Sequence, residues 1–278
     1  MERYEFESIR DEAGTFGYGS FQYLDYENVQ SYEIIKRDAE GILLYGFRPA
    51  AGRKELQWAA REAGCILTFL GGLKEEVIVP FVPQEWKQAF IEKGFSVYGE
   101  MRDYWINDLQ NHPAGDRDFS FLTGDEAEEA SDVTVSCRNQ SREFNGETPD
   151  WFKKWLASEE EDSQDMGIKD CAVLVHRRET GIAGIACVGI YGHESSKGPV
   201  LWVREIAVRP HWQGKGIGRK LLIQALTYGR DRGARRSFLA ADECNANALT
   251  LYKNVGYVPN PDEVQLDMLF HPEGPTVS

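Results

Sequence analysis

Residues 211–222 read HWQGKGIGRKLL. Gly214, Gly216 and Gly218 stand at every second position, Lys215 and Arg219 lie among them, and an apolar run follows. Alternate glycines beside cations mark a backbone that can close around an anion. Upstream, VLWVREIAV (200–208) reads as a strand stopped by Pro210. Downstream, apolar residues at 217, 221, 222, 225 and 226 form one face of a helix over 217–231. The stretch is therefore a strand–loop–helix turn. The first N–H groups of such a helix lack internal partners and lie at the positive end of its dipole, which suits a pyrophosphate.

Two familiar phosphate loops are excluded. A P-loop needs G-x-x-x-x-G-K-[ST], but Gly218 is followed by Arg219 and Lys220 with no hydroxyl to hold magnesium. A dinucleotide fingerprint needs G-x-G-x-x-G in the first strand–helix turn, whereas here the third glycine comes one residue early and several strands precede it.

Around this turn the pattern is mixed. Asp118–Leu122 alternates like a strand, and Asp125–Cys137 reads as a helix with Thr123 or Asp125 as its cap. Pro149–Ala157 opens with proline at a first helical turn, and Glu159–Asp165 is an acidic loop. Strand-like runs at 171–177, 183–190 and 200–208 are joined by RETG and GHESSKGP. Ser237–Ala241 is a short strand, Asn245–Asn254 a helix ending at Gly256, and Val264–Phe270 a last strand. The order implies an α/β fold on a sheet of mixed direction.

The chain has 278 residues, enough for one large or two ordinary domains. NDLQNHPAGDRD (107–118) is the best linker, giving parts 1–115 and 116–278. Of the net charge of −14, each part carries −7, so no basic domain points to nucleic acid or an anionic membrane. The acidity suits either solubility or a cationic substrate. The longest apolar run, near Ile182–Ile190, is about half a membrane span, and MERYEFES lacks the features of a secretory signal. Five scattered cysteines without a C-x-x-C pair read as reduced thiols in a cytoplasmic protein, and five isolated histidines offer no metal-ligand spacing.

An internal similarity links the two parts. GRKELQWAAREAG (52–64) resembles GRKLLIQALTYGRDRGA (218–234), and WKQAFIEKGF (86–95) resembles NALTLYKNVGY (247–257). The first glycine precedes the later Gly-aromatic pair by 42 residues in one part and 38 in the other. The alternatives are a degenerate repeat and a chance likeness of amphipathic helices.

Gln213-x-x-Gly216-x-Gly218, led in by REIAVRP, matches the Q/R-x-x-G-x-G/A signature of the GNAT acetyltransferase superfamily. Asn245-x-x-Ala248-x-x-x-Tyr252 followed by Gly256-Tyr257 matches its second signature. The chain thus resembles that family from about Phe119 to Phe270, with 1–115 resembling a degenerate GNAT-like domain. The resemblance implies a splayed central mixed sheet flanked by helices, and acetyl-CoA as cosubstrate with no metal. Backbone groups of Ile206, Ala207 and Val208 would pair with the pantetheine arm, and one strand amide there would meet the oxyanion. The amides of Gln213, Gly214, Lys215, Gly216, Ile217, Gly218 and Arg219 would hold the pyrophosphate.

By the same resemblance, Tyr252 lies near the CoA sulfur and protonates the leaving thiolate, the alternative being a core aromatic one turn before the helix end. Glu205, in the strand beside the CoA-pairing residues, is the candidate general base, against an ion pair with Arg204 or Arg209. Asn245 caps its helix and touches CoA, or caps alone. Cys187 and Cys244 have no neighbouring histidine and read as packing residues. The acceptor side falls on RNQSREFNGETPDWFKKW (138–155). There Trp151, Phe152 and Trp155 line a pocket or fill a core, and Arg142 and Glu143 orient a charged substrate or are solvated.

In the first part, RPAAGRKEL lacks the middle glycine, and Phe90 stands where the other part has Tyr252. That implies a half without CoA binding, acting structurally by shielding the acceptor site or forming a homodimer contact. The function these residues imply is acetyl transfer to a primary amine on a small molecule or peptide. The rivals are a catalytically silent CoA-binding regulatory module and a purely structural interaction protein.

Overall fold

The computed structural model describes residues 1–138, 142 and 144–272. The chain divides into two compact units, Met1–Met101 with Val264–Ser278, and Arg102–Glu263. The stretch expected as a linker, 107–118, therefore lies inside the second unit, and the last strand contributes to the first.

The first unit contains α1 (Arg3–Ala13), β1 (Tyr18–Gly19), α2 (Tyr26–Val29), β2 (Glu33–Arg37), β3 (Gly41–Arg48), β4 (Arg53–Ala60), α3 (Gly64–Leu70), β5 (Val77–Val79), α4 (Lys87–Glu92) and the start of β6 (Phe95–Ile106). Strands β2, β3 and β4 form an antiparallel meander, and β5 joins β4 in parallel at Lys54/Val77 and Glu55/Ile78. The distal end of the chain's final strand then pairs with β5, Phe270 opposite Val77.

The GRKELQWAAREAG stretch, expected to match a helix, is strand β4 through Ala60. It lies between two cores. Leu56, Trp58 and Ala60 face one with Leu70 and Phe90, while Ala59 faces the other with Phe6 and Ile9. Glu55 and Gln57, on the same face as Ala59, are buried as well, so both faces of β4 are covered. RPAAG is thus the β3–β4 hairpin turn, not a counterpart of the glycine loop.

The second unit contains the end of β6, then α5 (Ala127–Val135), α6 (Pro149–Ala157), α7 (Glu161–Asp165), β7 (Ala172–Arg178), β8 (Gly181–Tyr191), β9 (Val200–Val208), α8 (Ile217–Asp231), β10 (Arg236–Asp242), α9 (Ala246–Val255) and the start of β11 (Val258–Phe270). Asp118–Leu122 makes only an isolated bridge, Phe121 to Leu174, and the acidic stretch contains the short α7 rather than loop alone. Thr123 closes a reciprocal cap with Glu126 ahead of α5.

Strands β7, β8 and β9 are an antiparallel meander, β10 joins β9 in parallel through α8, and β6 follows β10. The first unit has the same order: a meander, a helix, a parallel strand, then a helix ending in glycine and an aromatic. Phe90 stands five residues before Phe95 and packs on it at 4.8 Å; Tyr252 stands five before Tyr257 and packs on it at 6.2 Å. The repeat is structural, although one of the two stretches that suggested it was misaligned.

Trp155 is fully buried in the second unit, and its Nε1 donates to the Ala172 carbonyl at 3.3 Å. Trp155→Ala deletes that packing and leaves a cavity, so denaturant unfolding should show a loss of about 3–5 kcal/mol.

Candidate functional site

Strands β9 and β10 pair at Val200/Arg236, Leu201/Ser237 and Trp202/Phe238, and no further. From Val203 to Val208, β9 keeps β8 on one side but has no partner on the other among the described residues. A register shift between Cys187/Glu205 and Val188/Val203 bulges β9 at Arg204, where the strands part. The Arg209 N–H donates to the Ala183 carbonyl on β8. By the alternation of antiparallel pairing, Ala207 also turns its backbone to β8, whereas Ile206 and Val208 turn theirs to the open edge. Of the three residues expected to pair with a ligand, Ala207 is thus committed to β8.

The glycine loop lies at the end of this open edge. Gly214 and Gly216 have φ of +71° and +79°, and a Cβ built on either meets nothing within 4 Å. Only glycine takes these angles without strain, and the space they leave is open. The N–H groups of Gly214 through Arg219 donate to no protein acceptor among the described residues; α8 begins its bonds with Lys220 N–H to the Gly216 carbonyl. Six consecutive unpaired donors at a helix start are an arrangement that can accept an anion. A cavity of about 280 Å³ beside it is lined by Gly216, Arg219 and Lys220 together with Asp116, Ile223 and Gln224.

The side chains in the cradle divide the work. Ile217 is buried in the core and offers only its N–H. Gln213 Nε2 donates to the Val208 carbonyl at 2.8 Å, tying loop to strand. Lys215 Nζ donates to the His211 carbonyl at 2.9 Å and lies 4.3 Å from the Trp212 ring centre. Arg219 is exposed.

Glu205 is half-buried on β9, and its Oε1 accepts from the Ile206 N–H at 3.0 Å. Burial pushes its carboxyl up to about 7; Arg204 opposes the rise and Glu147 adds to it. Arg204 bridges to Glu147 at 3.5 Å and lies over the Trp151 and Trp202 rings. Tyr252, on α9, is 7% exposed, and burial raises its phenol first, with the charge of Glu205 adding to the rise. The phenol therefore keeps its proton at neutral pH. Asn245 accepts from the Ala248 N–H at 3.2 Å as the cap of α9.

Phe152 and Trp155 are core; of the three aromatics only Trp151 keeps partial exposure. Arg142 bridges to Asp242 at 3.6 Å, while Glu143 lies outside the described residues. Cys187 is buried, its thiol pushed well up by desolvation, and Cys244 is also raised. Cys244 is exposed, so packing accounts for Cys187 but not for Cys244.

Glu147 was not singled out from the sequence, and Arg204, expected as an ion-pair partner for Glu205, pairs with Glu147. Glu147 is clamped to α5, its N–H donating to Thr134 Oγ1 at 2.8 Å and its carbonyl accepting from Ser131 Oγ at 2.7 Å. No spacing signals such a contact across 57 residues, and the bulge at Arg204 leaves no mark in the pattern.

The model of the acetyltransferase (GNAT) family matches residues 141–257, spanning α6 to α9 with the open strand and the cradle. An uncharacterized N-acetyltransferase of Methanocaldococcus jannaschii is 33% identical over 107 residues, 38% of this chain and 44% of that protein. A mycothiol acetyltransferase of Thermobifida fusca is 37% identical over 90 residues, 31% of this chain and 27% of that one. The chain thus spans less than half the length of these curated relatives. The GCN5-related N-acetyltransferase structure from Sphaerobacter thermophilus superposes with a TM-score of 0.56 at 15% identity, covering 94% of this chain and 88% of that one. That likeness is one of fold, and it extends beyond the GNAT segment to nearly the whole chain. No helix among the described residues is long and apolar enough to cross a membrane.

Proposed function

We propose that the protein is an acetyl-CoA-dependent N-acetyltransferase acting on a primary amine. The observation that carries this reading is the unpaired edge of β9 leading into six free N–H donors. An extended arm can add to the edge while its phosphates are held at the helix start. The GNAT segment and the N-acetyltransferase names of its relatives agree with it.

Acetyl-CoA supplies the activated acetyl group. Ile206 and Val208 offer backbone groups to the pantetheine arm, and Gly214 through Arg219 hold the pyrophosphate. Glu205 takes the proton from the amine, directly or through water. An amide of the open edge meets the oxyanion. Tyr252 gives its proton to the departing sulfur. Asn245 shapes the start of the helix that carries it. The chemistry belongs to the Arg102–Glu263 unit, the Met1–Met101 unit with the last strand is structural, and the five free thiols fit a reducing, cytoplasmic compartment.

A silent CoA-binding module is the rival reading, and the paired presence of Glu205 and Tyr252 argues against it. Thiol release from acetyl-CoA over a panel of amines tests this. Turnover with any amine supports the proposal, and tight CoA binding without turnover on all of them supports the module.

The pH dependence follows from Glu205. Its carboxylate form grows as pH rises through about 7, so kcat/KM should rise over the same range. Glu205→Gln should flatten that rise and lower kcat/KM about 10²-fold. Stability should move the other way. A carboxyl raised in the folded state contributes fully below its unfolded value of 4.5 and loses stability as pH climbs to about 7. The variant should therefore melt higher than the parent at pH 8, with the gap closing at pH 5.

A further inference from the structure

We infer that the first unit is a GNAT-like unit whose cofactor cleft is filled by the chain's own Tyr18–Ser20, so that the protein takes one CoA per chain. The inference rests on the CoA reading of the second unit. By position in the repeat, β4 and β5 correspond to β9 and β10. They part in the same way: pairing ends at Glu55/Ile78, and Leu56–Ala60 run on without β5. In the second unit the matching edge is open. Here β1 lies on it, antiparallel, with Tyr18 opposite Ala60 and Gly19 opposite Ala59.

The bonds reproduce what an extended ligand would make. The Ser20 N–H donates to the Trp58 carbonyl at 2.9 Å, and the Trp58 N–H donates to Ser20 Oγ at 3.0 Å. The edge groups of Trp58 are thereby satisfied from within the chain. The approach is close: a Cβ on Gly19 would come within 3.0 Å of the Trp58 carbonyl and 3.2 Å of the Ala59 Cβ. The Trp58 indole completes the closure. It is fully buried and donates to the Pro80 carbonyl at 2.8 Å, just beyond the end of β5.

A second, independent feature agrees. The link from β9 to α8 is Arg209–Gly216, with two glycines at positive φ. The link from β4 to α3 is only Arg61–Ala63, and its cap, Ala63, has φ of −55°. There is no loop in which to cradle a pyrophosphate. The missing middle glycine is thus the lesser part of the loss: the pantetheine cleft is occupied and the phosphate loop is cut away.

The test combines stoichiometry with amide hydrogen exchange, using CoA as the probe. Calorimetric titration of the full chain should give one equivalent, and Gly216→Glu none. CoA should slow exchange in 200–208 and leave 53–60 unchanged, because those amides are already covered. Ser20→Ala should speed exchange at Trp58 while leaving acetyl-CoA affinity unaltered. Two equivalents in the parent, residual binding in Gly216→Glu, slowing in 53–60 on adding CoA, or an unchanged Trp58 rate in Ser20→Ala would each overturn the inference. No binding at all by the parent would remove the CoA reading itself, and the inference with it, a result distinct from two equivalents.

Discussion

Gly216→Glu should raise the dissociation constant for acetyl-CoA at least 10³-fold, about 4 kcal/mol, as measured by calorimetry. Gly216 is the N-cap of α8 at φ +79°, and a Cβ there meets nothing within 4 Å. The variant therefore folds, with about 1–2 kcal/mol of backbone strain. Its carboxylate enters the space where the pyrophosphate would lie and faces the unpaired N–H groups. Charge repulsion and occupation act together. Gly216→Ala separates strain from charge: it carries the same strain with only a methyl group, so it should lose about tenfold. Unchanged affinity in Gly216→Glu would remove the cradle from the account.

Tyr252→Phe should lower kcat about 10³-fold while leaving acetyl-CoA affinity nearly intact. The ring is buried against Tyr104 and Tyr257 at centroid distances of 6.4 and 6.2 Å, and the phenylalanine ring keeps both contacts. Only the hydroxyl is lost, and it has no hydrogen-bond partner among the described residues that would keep it for structure alone. Its raised pKa keeps the proton on at neutral pH, as a donor to a leaving thiolate requires. The loss should appear at saturating amine and saturating acetyl-CoA, where binding differences vanish. A variant with full turnover would make Tyr252 a packing residue.

Much of the second unit was legible because its signals are local. Helix α8 starts and stops where its apolar face does, α6 opens at Pro149, and α9 closes at Gly256 with φ +110°. The glycine loop was legible for the same reason: angles open only to glycine and a helix start leave their mark in consecutive residues. Strand β4 was misread because its likeness to the α8 sequence outweighed the polar–apolar alternation of Glu55, Leu56, Gln57 and Trp58. The weight of Glu205 was hidden too, since its raised carboxyl depends on burial and on Glu147, 58 residues earlier.

The sequence by itself determined the segments and the cradle, because helix caps, glycine angles and apolar periodicity act over a few neighbouring residues. Only the tertiary structure decided where β9 leaves β10, that Arg204 pairs with Glu147, and that Tyr18–Ser20 pairs with the matching edge in the first unit. Each of these is a pairing between segments far apart in the chain, set by which edge or buried face remains after the local elements have packed.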